Sequence, residues 1–313
     1  MITRRQIRIK VMQALYAYYQ DEQKDLAKSL LALEKNLKAT YELYAYELAA
    51  LNELHNFAAE RIQKKLNKML PTEEDLNPNM RFVDNPVLKT LTNSLAMETL
   101  YKQYKVNWSD AKELFRKAFL DFMETPEYIS YMSEASPTFA DHRNVIQSLY
   151  GYCCLENEEV HQFYEERNLF WADDLHDVQM MVGKTIKGIK EGEDAGLKLV
   201  PLFKDDEDRE FGALLFRKTV QHAQTFDARI GDTTSNWEMD RIAFVDLILM
   251  RMALAELVSF QEIPVRVTLN EYIELSKLYS TPKSSKFING VLDKLVIKFD
   301  EEKLFIKIGR GLL

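Results

Sequence analysis

Four of the first ten residues are basic, Arg4, Arg5, Arg8 and Lys10, and none is acidic. Guanidinium and ammonium groups gathered in this way suit phosphate oxygens. Gln13 and Tyr16 follow at once. An amide reads a base edge and an exposed ring stacks a base, the two requirements of single-stranded nucleic-acid recognition. A second basic group, Lys283 and Lys286 around two serines, stands near the other end and leads into Phe287, Asn289 and Gly290. Phe287 offers a stacking face or a core contact, and Asn289 offers a second amide. A glycine inside a helix costs ~1 kcal/mol against alanine, so Gly290 marks a close approach by a neighbouring helix or by a ligand. For the first segment, a solvated helix start competes with a ligand site. Cations at a helix N-terminus oppose the macrodipole, which weighs against simple solvation.

Other chemistry is missing from the pattern. The histidines, His55, His142, His161, His176 and His222, form no HExxH pair, and there is no GxSxG elbow or glycine-rich phosphate loop. Asp205 to Asp208 lack an EF-hand glycine and distal Glu, and read as an acidic first helical turn. Cys153 and Cys154 are adjacent, which suits neither an ordinary disulfide nor a complete zinc site. The expectation is therefore no catalysis, no cofactor and no metal. The net charge of −8 excludes a general nucleic-acid binder and requires any such site to be a local patch. Free thiols, with no apolar run of membrane length and no signal-peptide pattern, point to the cytoplasm.

The elements that must hold these residues read as helices throughout, and glycine and proline are scarce at 10 and 8. The pattern predicts an all-α fold. Thr3 and Gln6 make a capping box for a helix over 3–20, with Ile7, Val11, Ala14, Leu15 and Tyr18 as its core stripe. Helices follow at 26–38 and 41–70, then a proline-containing loop at 71–86, then helical runs at 87–105, 109–123, 139–155, 160–190 and 211–230. A linker at 231–236 precedes a capping box of Ser235 and Glu238. The run 242–257 is apolar on most sides and reads as a central helix, with Asp246, Arg251 and Glu256 as its charged interruptions. Thr268 and Glu271 form a further capping box, with Val267 and Tyr272 as its staple. Pro282 stops that helix, and Ile288, Val291, Leu292 and Leu295 mark the next.

Three stretches resemble the NusB family of transcription antitermination factors. PVRVTLNEYIELSKLYSTPKSSKFINGVLDKL is similar to the family's C-terminal signature. RRQIRIKVMQALYAYYQ is similar to its opening helix, and WEMDRIAFVDLILMRMALAEL to its central one. The resemblance covers about 1–40 and 205–297 and implies a NusB-like pair of helical bundles with a long helical insertion. The expected division is an N-terminal bundle over 1–235, carrying the insertion at about 41–204, and a C-terminal bundle over 236–313.

The resemblance also implies a function. The chain would bind boxA-like, U-rich single-stranded RNA together with NusE, a small-subunit ribosomal protein, and act with other Nus factors on transcribing RNA polymerase. The face near Asp246 and Arg251 would meet the partner. The two basic segments would meet in space, with phosphates on Arg4, Arg5, Arg8 and Lys10 and bases on Tyr16, Phe287, Gln13 and Asn289. Four such phosphate contacts imply a salt slope of about −3. The alternatives are a structural adaptor or RNA-processing module that has lost boxA binding, or a relative of the N-terminal domain of rRNA methyltransferases. Only sixteen residues follow Ile297, so the expectation is that no methyltransferase domain is present.

Overall fold

The structure, a computed structural model, describes residues 1–192, 197–234 and 242–312. Among them every regular element is helical, as the periodicity predicts. Helix α1 spans Arg4–Gln20 and α2 spans Leu26–Leu66. Eight further helices follow: α3 (Glu73–Leu76), α4 (Pro86–Thr92), α5 (Leu95–Tyr104), α6 (Lys112–Phe122), α7 (Pro126–Ser133), α8 (Phe139–Tyr150), α9 (Glu158–Arg167) and α10 (Leu175–Gly188). The last five are α11 (Asp206–Gln221), α12 (Ala223–Thr233), α13 (Phe244–Ser259), α14 (Val265–Tyr279) and α15 (Ser284–Glu301).

Helix boundaries follow local chemistry, and several differ from expectation. The helices expected at 26–38 and 41–70 are one, because no glycine or proline interrupts Leu26–Leu66. The expected loop 71–86 holds the short α3, closed by a capping box of Thr72 and Asp75. The run 87–105 is broken after Thr92, and 211–230 is broken at His222. Gly231 continues α12, so it is not linker; the capping box of Ser235 and Glu238 lies outside the described residues. α14 begins at Val265, with Pro264 at its cap, where the missing N–H does no harm. Thr268 therefore sits inside the helix and caps nothing.

Two compact units result. One comprises Met1 and Lys38–Leu202; the other comprises Ile2–Leu37 and Phe203–Leu313. The bundles expected to meet at 235/236 are thus a single unit, because α1 and α13 both pack on α11. In this second unit α13 is enclosed on nearly every side. Ile248, Leu249, Met250, Met252, Leu254 and Leu257 are all buried, and each contributes roughly 1.5–3 kcal/mol by leaving water. The core of the 38–202 unit is aromatic, with Trp108 4.6 Å from Phe115 and Tyr46 5.1 Å from Trp171 between ring centroids.

The approach of α1 to α11 depends on Gly212. A Cβ there would lie 2.8 Å from Cγ2 of Ile7, on a β-branched side chain with little freedom to turn away. Gly212→Ala is expected to lower unfolding free energy by about 1–3 kcal/mol, read by urea denaturation. Unchanged stability would mean that the two helices separate at little cost.

Candidate functional site

The start of α1 is closed by the expected capping box. Thr3 Oγ1 accepts from Gln6 N, and Gln6 Oε1 accepts from Thr3 N. Its cations are all engaged within their own unit. Arg4 Nε donates to Asp208 at 2.6 Å and its Nη2 to Glu207 at 3.2 Å. Arg5 grips Glu271 with two bonds of 2.9 and 2.8 Å. Arg8, 2% exposed, grips Glu256 at 2.7 and 2.8 Å. Lys10, also 2% exposed, donates to Asn36 at 2.8 Å.

This corrects the expectation for Arg8 and Lys10, which are buried and hold the fold instead of phosphates. It also answers the dipole argument. Carboxylates from α11, α13 and α14 supply the negative charge that offsets cations at this helix end. Glu256 completes a satisfied core group, accepting in addition from Thr268 Oγ1 and Tyr272 OH, each at 2.9 Å. Burial is the strongest single influence on Arg8 and favours losing its proton. The charge and hydrogen bonds of Glu256 outweigh it and raise the pKa. Burial likewise pushes Glu271 up, but Arg5 and Arg8 together bring it below its ordinary value.

The far end of α1 faces different neighbours. Tyr16 is 45% exposed and meets Phe244 edge-on, with centroids 5.4 Å apart; Gln13 is half-buried. Two residues further along α13, Asp246 accepts from Ser280 Oγ at 2.5 Å, and Ser280 and Thr281 both hydrogen-bond Ser284. The elbow between α14 and α15 is thereby tied to the start of α13, close to Tyr16. The arginines contact Glu271 instead, and from Glu271 to Tyr279 α14 advances about 12 Å. The two basic segments therefore do not meet; the elbow lies at the Tyr16 end of α1.

At the elbow Lys283 and Lys286 are exposed, and no ion pair involves either among the described residues. Phe287 is half-buried, and Asn289 is exposed with its Nδ2 donating to Asp293 at 2.9 Å. Gly290 differs from expectation: among the described residues a Cβ there would meet nothing within 4 Å, and no helix approaches it. Gly290→Ala is expected to raise stability by about 1 kcal/mol in thermal or urea unfolding.

Asp246 and Arg251, expected on a partner face, are 4% and 8% exposed. Arg251 grips Asp227 with two bonds of 2.6 Å and lies 4.7 Å from the centroid of the Tyr19 ring. Both brace the fold from beneath the surface. The carboxylates that meet the arginines, Asp208, Glu256 and Glu271, were missed as a group by sequence reasoning. The available signal was Glu256 itself, a charge in an otherwise apolar helix.

A profile described as the NusB family matches residues 178–296, beginning in α10 and leaving α1 outside. The chain is 42% identical over 114 residues to the transcription antitermination protein NusB of Salinibacter ruber, covering 36% of this chain and 71% of that protein. It is 38% identical over 109 residues to the NusB protein of Chloroherpeton thalassium, covering 35% of this chain and about half of that one (52%). It is 41% identical over 95 residues to that of Desulforamulus reducens, covering 30% of this chain and 66% of the relative. No solved structure matches. With its all-helical architecture and these relatives, the chain belongs to the NusB family.

Proposed function

We propose that this chain is a transcription antitermination factor that binds U-rich, boxA-like single-stranded RNA at the surface formed by the elbow, the first turns of α15 and Tyr16. The observation that carries it is the pair Lys283 and Lys286, exposed and without a carboxylate partner among the described residues of an acidic chain. Asn289 and Tyr16 supply an amide and a ring beside them, and the open side of Gly290 admits a nucleotide backbone. Arg5, half-exposed on Glu271, adds a third cation by exchanging a surface pair of small net worth for phosphate. A small-subunit ribosomal protein of the NusE type and transcribing RNA polymerase complete the proposal, and they rest on the family alone.

Fluorescence anisotropy of a labelled U-rich strand across a salt series tests it. Three contacts give a slope of log K on log salt near −2, compared with the −3 of four α1 contacts. One observation favours a second reading, an adaptor that has lost RNA binding: Arg8 and Lys10 are buried, and Arg4 and Arg5 are held by carboxylates. No binding at low salt would select it.

A further inference from the structure

The 38–202 unit encloses a carboxyl with no cation beside it. Glu47, midway along α2, is fully buried. Tyr150 OH, from α8, donates to its Oε2. The buried hydroxyl of Tyr164, on α9, stands beside the carboxyl, and among the described residues neither it nor Oε1 makes a hydrogen bond of good geometry. Among the described residues, no cation bears on the carboxyl. The buried thiols of Cys153 and Cys154 lie in the single π-turn that follows α8. His161 directs Nε2 to the carbonyl of Cys154 at 3.1 Å, and Gln179 of α10 lies behind it. Arg167 gives its guanidinium to Tyr46 OH at 2.6 Å. On α6, Asp121 bears on Cys153, adding negative charge and no cation.

An ionised carboxylate without a countercharge is strongly disfavoured in such a place, whereas the acid form is tolerated. We propose that Glu47 is carried as a neutral carboxylic acid and that its ionisation is a pH-sensitive switch on the packing of α2, α8 and α9 in the 38–202 unit. The acid form keeps the tyrosine cluster closed, and the carboxylate draws in water and opens it.

Burial pushes the Glu47 carboxyl up to about 7, against smaller opposing effects of the two tyrosines. The folded state therefore binds this proton more tightly than the unfolded chain, whose value is the ordinary 4.5. Its contribution to stability is complete below the unfolded value and is lost as pH rises from there through about 7. The transition falls near neutrality.

Peptide-resolved amide exchange on the intact chain tests the switch. After correction for intrinsic exchange, opening of peptides containing Glu47, Tyr150 and Tyr164 is expected to rise by up to about tenfold per pH unit between roughly pH 5 and 7. Peptides of α13 to α15 should lack this step. Glu47→Gln, uncharged at every pH, should abolish it. Infrared spectra of the parent should show a protonated-acid carbonyl band near neutral pH that ionises on titration, a readout independent of whether the variant folds. Tyr150→Phe, which removes the donor to the carboxylate, should move the midpoint to higher pH. Absence of the band below pH 7, or equal pH dependence in parent and Glu47→Gln, overturns the proposal.

Discussion

Arg8→Ala is expected to lower unfolding free energy by ~3–5 kcal/mol, because it leaves the Glu256 carboxylate buried without its cation. The two remaining donors, Thr268 and Tyr272, bring hydrogen bonds but no positive charge. Burial that now serves to exclude water from a paired ion would then oppose an unpaired one. The loss should appear as a lower urea midpoint, with the slope of the transition retained. Arg8→Lys keeps the charge but loses the two-pronged geometry, and should fall between parent and alanine. The measurement separates two roles for this arginine. A phosphate contact would cost RNA affinity and leave stability within about 0.5 kcal/mol, as surface substitutions do.

The charge reversal Lys283→Glu/Lys286→Glu is expected to do the opposite. Both side chains are exposed, so the fold should survive. Each single-strand phosphate contact is worth roughly fivefold in affinity near 0.1 M salt, so losing two lowers binding about 25-fold before any repulsion is counted. The salt slope should flatten by about 1.4. Anisotropy against the parent at several salt concentrations gives both numbers. A folded double variant that binds a U-rich strand as tightly as the parent would remove the elbow from the RNA surface. Tyr16→Ala probes the other side of that surface, and its aromatic stacking is worth ~1–3 kcal/mol where a base sits on the ring.

Much of the fold was legible. The stripe of Ile7, Val11 and Leu15 and the enclosure of α13 follow from spacing alone, and the stripe is fully buried. Helix ends were less so: the division expected between 38 and 41 is absent, since no glycine or proline interrupts Leu26–Leu66. The site divided along a physical line. Exposure of Lys283, Lys286 and Asn289 could be read from a polar elbow after Pro282. The fate of Arg8 could not, because its partner lies 248 residues away and charge clusters look alike in sequence whether they face solvent or a carboxylate. Thr268 shows the same limit: a hydroxyl three residues before a Glu looks like a cap, yet tertiary structure claims it for Glu256. Gly290 suggested crowding and has open space, since a helix tolerates one glycine without a packing reason.

The unit that carries most of the family match is assembled from both sides of the chain, residues 2–37 and 203–313. During synthesis at about 5–20 residues per second, roughly 10–40 s pass between the emergence of α1 and that of α11 and α13, on which it packs. For that interval Ile7, Val11 and Leu15 lack the α11 and α13 surfaces that cover them in the folded unit. By contrast, once residue 202 has left the ribosome the whole of the unit formed by Met1 and 38–202 is present, and it can close while α1 waits. Helix α1 is thus made well before it can be buried, and Arg8 stays without its carboxylate until Glu256 is synthesised.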